Sequence, residues 1–128
     1  MSAAMRQKLA ELIKPIGSQE EWDEFIPTVG KKLLVIDIHK KWCGPCDVMR
    51  PTFERIFLNT DECDKKCEFL AIHSESGIKQ LEQYCEKATS KPYFVLWKDN
   101  EVVAKVDGAN APELQTLLSE NMPNLMDE

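Results

Sequence analysis

Cys43 and Cys46, in Trp42-Cys43-Gly44-Pro45-Cys46, are the residues whose type and spacing best support covalent chemistry in this chain. A thiolate attacks a disulfide sulfur, and a second thiol close by can resolve the mixed disulfide that results. The apolar run Leu33 to Ile38 ahead of the pair reads as a strand, and the amphipathic stretch Val48 to Leu58 behind it reads as a helix. The dithiol therefore opens a helix, where free amides and the macrodipole favour a thiolate. Cys43 is the expected attacker, and Cys46, about one turn further in, the shielded resolver. Asp37 interrupts the apolar strand; the cost of charging a buried carboxyl there raises its pKa, and its ionised form can take the proton of Cys46. The plainer alternative is an Asp37 that faces solvent at a strand end.

Zinc is the rival use of a C-x-x-C pair, but a structural site normally needs four ligands. The remaining candidates, Cys63, Cys67, Cys85, His39 and His73, form no paired knuckle, so no metal is expected. The count of five cysteines is odd and argues against a structural disulfide framework. Cys63 and Cys67 would share a face if their segment were helical, where they could be oxidised or glutathionylated, but they are expected as exposed bystanders in the charged stretch Asn59 to Glu68, and Cys85 as a small buried hydrophobe.

At 128 residues the chain is expected to form one main domain. Its net charge of -6, from 16 basic against 22 acidic residues, argues against generic binding to nucleic acid or anionic membranes. No apolar run reaches membrane-spanning length, and Met1 to Lys8 lacks the apolar core of a signal peptide. The expected location is cytoplasmic, a reducing compartment.

The elements that must position the dithiol follow from patterning. Residues 1–11 read as an N-terminal helical extension; Met5, Leu9, Leu12 and Ile13 share a face, unless the end passes into an edge strand near Leu12 to Ile16, where Pro15 is tolerated. Ser18 and Glu21 form a capping box for a helix carrying Trp22, Phe25 and Ile26, ending near Pro27 to Gly30. Leu33 to Ile38 is too uniformly apolar for a half-exposed strand and reads as central. The helix from Val48 to Leu58 holds Pro51 in its interior and should kink. Phe69 to Ile72 is a further strand, Ile78 to Cys85 a short helix, and Tyr93 to Trp97 with Val102 to Val106 a hairpin turning at Lys98 to Glu101. Asn110 caps a last helix with Pro112 and Glu113 in its first turn and Leu114, Leu117 and Leu118 as its stripe; residues 123–128 form a mobile tail. The result is an α/β fold: a central mixed β-sheet of parallel strands plus a C-terminal antiparallel hairpin, helices on both faces, and the dithiol at the C-terminal end of a central strand.

With these elements in order, the chain resembles thioredoxins over roughly residues 12 to 120, within a domain set at 12–122. The resemblance rests on Trp-Cys-Gly-Pro-Cys, Asp37 six residues before Cys43, Pro51 five after Cys46, Pro92 before a strand and Gly108 after the hairpin. It implies the thioredoxin fold and thiol-disulfide exchange with no cofactor beyond a reversible Cys43–Cys46 disulfide. It also implies Asp37 as proton acceptor for Cys46, and Pro92 as a cis-proline facing the dithiol, an ordinary trans edge proline being the alternative. A substrate or partner groove follows from Trp42, Gly44, Pro45, Lys91, Pro92 and Gly108. Three positions depart from the family pattern: Asp47 where Lys or Arg is frequent, Lys91 where an apolar residue precedes the proline, and His39, expected at a solvent-facing strand end. Asp47 opposes a thiolate and Lys91 favours one.

A narrower resemblance, carried by Asp107-Gly108-Ala109-Asn110-Ala111-Pro112 and the charged loop, is to thioredoxin-type light chains of axonemal outer-arm dynein. Thioredoxin domains fused to nucleoside diphosphate kinase modules in sperm and cilia are similar. This implies a protein partner, a dynein heavy chain or another large subunit, in the axoneme of a cilium or flagellum. The enzyme alternative is a free cytosolic thioredoxin, a general protein disulfide reductase served by thioredoxin reductase; a scaffold with idle cysteines is the third.

Overall fold

The structure is a computed structural model that describes residues 2–40, 49–88, 93–108 and 110–122. Helix α1 (Ala3–Ala10) is started by Ser2, whose Oγ accepts from the Met5 N–H at 3.1 Å, and none of its residues is buried. Strand β1 (Ile13–Ile16) follows, then α2 (Gln19–Phe25). The capping signal forms as read: the Glu21 N–H donates to Ser18 Oγ at 3.2 Å, and its carboxylate accepts from the Gly17 N–H at 2.7 Å. A 3-10 turn at Ile26–Thr28 leads to β2 (Leu33–His39). Then come α3 (Arg50–Asn59), α4 (Cys63–Lys66) and β3 (Cys67–His73). A 3-10 turn at Lys79–Leu81 runs into α5 (Glu82–Cys85), and β4 (Tyr93–Lys98), β5 (Glu101–Asp107) and α6 (Ala111–Asn121) complete the chain.

The sheet has five strands in the order β1-β3-β2-β4-β5. β1 and β2 flank β3 in parallel, β4 runs antiparallel to β2, and β5 antiparallel to β4. This is the mixed sheet with a terminal hairpin that the patterning predicts. Asp99 and Asn100 both take positive φ, 53° and 65°, the conformation a tight two-residue hairpin turn demands and that Asx residues tolerate.

β2 is covered on both faces, so its side chains divide between two cores. Leu34, Ile36 and Ile38 join Trp22, Leu70, Ile72 and Trp97 on one side, where Trp22 meets Trp97 edge-on at 5.2 Å. Leu33 and Val35 join Phe53 of α3, Phe69, Phe94 and Leu114 of α6 on the other. There Phe53 stacks on Phe69 at 4.8 Å and meets Phe94 edge-on at 6.0 Å.

Three expectations are corrected. Pro51 does not interrupt α3, which begins at Arg50: the proline sits in its first turn, where an N–H has no partner within the helix. Val48, the expected start, lies outside the described residues, as does the tail 123–128. The charged stretch after α3 is not simply a solvated loop. Glu62 adopts φ 54° and turns the chain into α4, and β3 starts earlier than its apolar run, at Cys67. Cys63 and Cys67 are consequently buried, with 2% and 3% of their surface exposed. Cys85 is half-buried against the core rather than enclosed.

Candidate active site

The parallel strands β2 and β3 end together, His39 aligned with His73, and the Ser74 N–H donates to the His39 carbonyl at 2.7 Å. On the face that α3 covers, alternation stacks Leu33, Val35, Asp37 and His39 along β2 beside Cys67, Phe69, Ala71 and His73 along β3. Crossing the sheet, Asp37 stands between Ala71 of β3 and Phe94 of β4, with no cation in its row.

Asp37 is 2% exposed, which removes the solvent-facing alternative. Burial pushes its carboxyl from 3.8 up to about 7. Its Oδ1 has no hydrogen-bond partner among the described residues, and His39 Nδ1 stands 4.0 Å away, too far for a formed bond. The His39 side chain is only 16% exposed, so it does not face solvent as expected. Burial lowers its pKa first of all; the Asp37 main-chain carbonyl opposes that, and His73 lowers it further. With the acid pushed up and the base pushed down, burial favours the neutral form of both, so the two are not held as an ion pair.

His73 completes the group. Its Nδ1 accepts from the Glu75 N–H at 2.9 Å, so in the neutral ring the proton lies on Nε2, which is buried without a partner among the described residues. The two imidazoles meet edge-on with centroids 6.1 Å apart. Asp37 Oδ1, His39 Nδ1, His73 Nε2 and Ser76 Oγ are the buried side-chain polar atoms left unpaired among the described residues. Folded proteins leave few such groups, and here they gather at one end of the sheet. Sequence reading passed over His73 and Ser76 as members of this site. A usable signal was present, since both apolar strand runs end in histidine and parallel pairing aligns their ends.

A polar cavity of about 620 Å³ opens beside these strand ends, lined in part by Lys40, Ser74, Glu75, Glu82 and Glu86. Gly108, of the expected groove, follows β5 at φ 84°. It lies at the same end of the sheet, because Asp107 pairs with Tyr93 and Tyr93 with Ile38. The other expected site residues, Trp42, Cys43, Gly44, Pro45, Cys46, Lys91 and Pro92, and the departure at Asp47, lie outside the described residues. The dithiol belongs to the connection between His39, where β2 ends, and Arg50, where α3 begins. Among the described residues no three His, Cys, Asp or Glu side chains gather as a metal-binding group, and no helix is long and apolar enough to cross a membrane.

Residues 15–120 match the family described as Thioredoxin. The 14 kDa light chain of the flagellar outer-arm dynein of Chlamydomonas reinhardtii is 29% identical over 108 residues, covering 84% of this chain and 80% of that protein. The 16 kDa outer-arm light chain of the same alga is 36% identical over 100 residues, 70% of this chain and 58% of the relative. Human thioredoxin domain-containing protein 3 is 32% identical over 125 residues; that is 98% of this chain but only 20% of the relative. Among solved structures, a Malassezia sympodialis thioredoxin is 28% identical with a TM-score of 0.63, covering 85% of this chain and 90% of that one. A Nicotiana alata thioredoxin aligns at a TM-score of 0.68 and 24% identity over 88% of this chain and 94% of its own, a likeness of fold.

Proposed function

The chain belongs to the thioredoxin family, and from that premise we propose that it is a thioredoxin-type light-chain subunit of an axonemal outer-arm dynein complex, carrying thiol-disulfide exchange chemistry at Cys43 and Cys46. The observation that carries the reading is the likeness, over most of this chain's length, to two flagellar outer-arm light chains. In this reading Cys43 attacks a partner disulfide, the partner's leaving sulfur takes a proton, and a mixed disulfide forms. Cys46 then attacks the Cys43 sulfur, and the partner leaves as a dithiol while Cys43 and Cys46 close their own disulfide. Asp37 serves the second step as proton acceptor for Cys46. A carboxyl with a pKa of about 7 exchanges a proton near neutral pH, where an ordinary aspartate is already fully charged. Trp42, Gly44, Pro45, Lys91, Pro92 and Gly108 form the groove that meets the partner, a dynein heavy chain or another large subunit.

The second reading is a free thioredoxin that reduces many proteins and is recharged by thioredoxin reductase. It is favoured by the intact Cys-Gly-Pro-Cys motif behind a buried carboxyl. A Cys46→Ser chain that cannot resolve its mixed disulfides separates the two in ciliated-cell extract. One large motor subunit held through Cys43 supports the light chain, and a broad set of enzymes supports the reductase. No trapped partner, together with normal motor assembly around a Cys43→Ser chain, refutes a working dithiol in both.

A further inference from the structure

Cys63 and Cys67 stand apart from the site above. Their Sγ atoms lie 3.3 Å apart, an S–H···S contact in which either sulfur can donate. The Cys67 N–H donates to the Cys63 carbonyl, closing one helical turn between them. That bond holds the two α-carbons at a one-turn separation, within the range a disulfide spans. Bringing the sulfurs to bonding distance requires about 1.3 Å of closure, which side-chain rotation can supply.

The pair is also asymmetric. Contact with Cys67 holds the Cys63 thiol below its ordinary pKa, as a Cys67 S–H donating to a Cys63 thiolate would, with Lys66 assisting; burial, Asp64 and Glu68 oppose it. Cys67 is pushed the other way by Cys63 and by its own burial, so it keeps its proton. Cys67, whose sulfur touches that of Cys63, lines a cleft of about 180 Å³ between α1, α3 and β3, together with Lys8, Leu12, Phe57 and Glu68, which brings the cleft within one side chain of the Cys63 sulfur. α1, none of whose residues is fully buried, borders the cleft and is tied by Lys8 to Asp64 at 3.7 Å, and by the Arg50 guanidinium to the Leu9 and Ala10 carbonyls at 3.5 and 3.4 Å, the bond to Leu9 partly buried. An exposed pair such as Lys8–Asp64 opens at little cost.

We propose that Cys63 and Cys67 are a second redox site, a buried dithiol that a small peroxide oxidises to a reversible intramolecular disulfide. The Cys63 thiolate attacks one peroxide oxygen; the O–O bond breaks, hydroxide leaves and takes a proton to become water, and Cys63 becomes a sulfenic acid. Cys67 then attacks that sulfur; its proton and the sulfenic hydroxyl leave as the second water, and the S–S bond forms. Two electrons pass from the dithiol to one peroxide. Cys67 opens β3 and His73 ends it, about 20 Å of strand away. The pair is therefore at the opposite pole of the sheet from the histidine end and works without the Cys43–Cys46 dithiol of the same molecule.

Trypsin cuts after Lys65 and Lys66, between the two cysteines, so the bond can be read directly. The full chain is treated with hydrogen peroxide, alkylated under denaturing conditions and digested. The expected result is a disulfide-linked pair of peptides, 56–65 with 67–79, and the loss of two alkylatable thiols that a dithiol reductant restores. In Cys67→Ser, which cannot resolve, a sulfenic-acid trap such as dimedone should label Cys63; in Cys63→Ser it should leave Cys67 unlabelled. Both peptides remaining fully alkylated while Cys43 and Cys46 oxidise overturns the proposal. So does Cys63 recovered only as sulfinic acid, or linked to Cys85, Cys43 or Cys46.

Discussion

Replacing Asp37 by Asn keeps the shape of the side chain and removes its titration, so it isolates what burial does to this carboxyl. In the folded protein the group holds its proton up to a pH of about 7, while in the unfolded chain it lets go near 3.8. Between those values the folded state binds the extra proton, so stability falls as pH rises. The shift is about 3 units at 1.36 kcal/mol each, hence a loss of about 4 kcal/mol that begins near pH 4 and is complete by about pH 8. For a domain whose total stability is about 5–15 kcal/mol, this is a large share. Urea unfolding, followed by far-UV circular dichroism under constant reductant at one-unit pH steps, gives the free energy for both proteins. The asparagine variant should gain on the wild type steadily from acid to alkaline pH, by about 4 kcal/mol in all. Parallel pH profiles would show that Asp37 is not the buried neutral acid described here, and the proton-acceptor role would lose its basis.

Three further outcomes follow from the same geometry. Asp37→Ala should slow release from a Cys43 mixed disulfide more than it slows the first attack; stopped-flow kinetics showing equal slowing of both steps counts against a role confined to Cys46. His39→Phe acts on the acid side: the folded pKa lies below 6.5, so unfolding takes up a proton beneath that value and stability drops as pH falls. The variant should flatten that acid limb in the same urea series, and an unchanged limb refutes the burial of a neutral His39. Phe53→Ala empties the stack against Phe69 and Phe94 and should cost about 3–5 kcal/mol by urea unfolding. A cost under about 1 kcal/mol would mean that this core does not rest on α3.

The order of elements was legible because each apolar run matches one period, and Leu33 to Ile38 is too uniformly apolar to be anything but a central strand. Caps were legible for the same reason: Ser18 and Asn110 carry side chains that accept main-chain amides three residues on. The burial of Cys63 and Cys67 was not, because composition reads Asn59 to Glu68 as a solvated face. What buries both thiols is the left-handed turn at Glu62, a non-glycine residue in a conformation that residue type does not announce. Pro51 misled in the opposite sense. A proline within an amphipathic run predicts a kink, and only the observed start of α3 shows that it begins the helix. The His39–His73 meeting is a property of register between strands far apart in sequence, and local patterning does not encode it.

Where many copies of a protein are crowded, an open strand edge is a template for self-propagating aggregation. Both edges of this sheet are poor templates. β1 is only four residues long and carries Pro15, so its outer rim lacks a donor in the middle of a very short ladder. β5 is longer, but Glu101, Lys105 and Asp107 are exposed along it and keep charge on any approaching chain. Copies of the chain at high concentration are thereby kept from zipping into fibrils edge to edge, and any protein that met either edge would have to be recognised by side chains and surface shape.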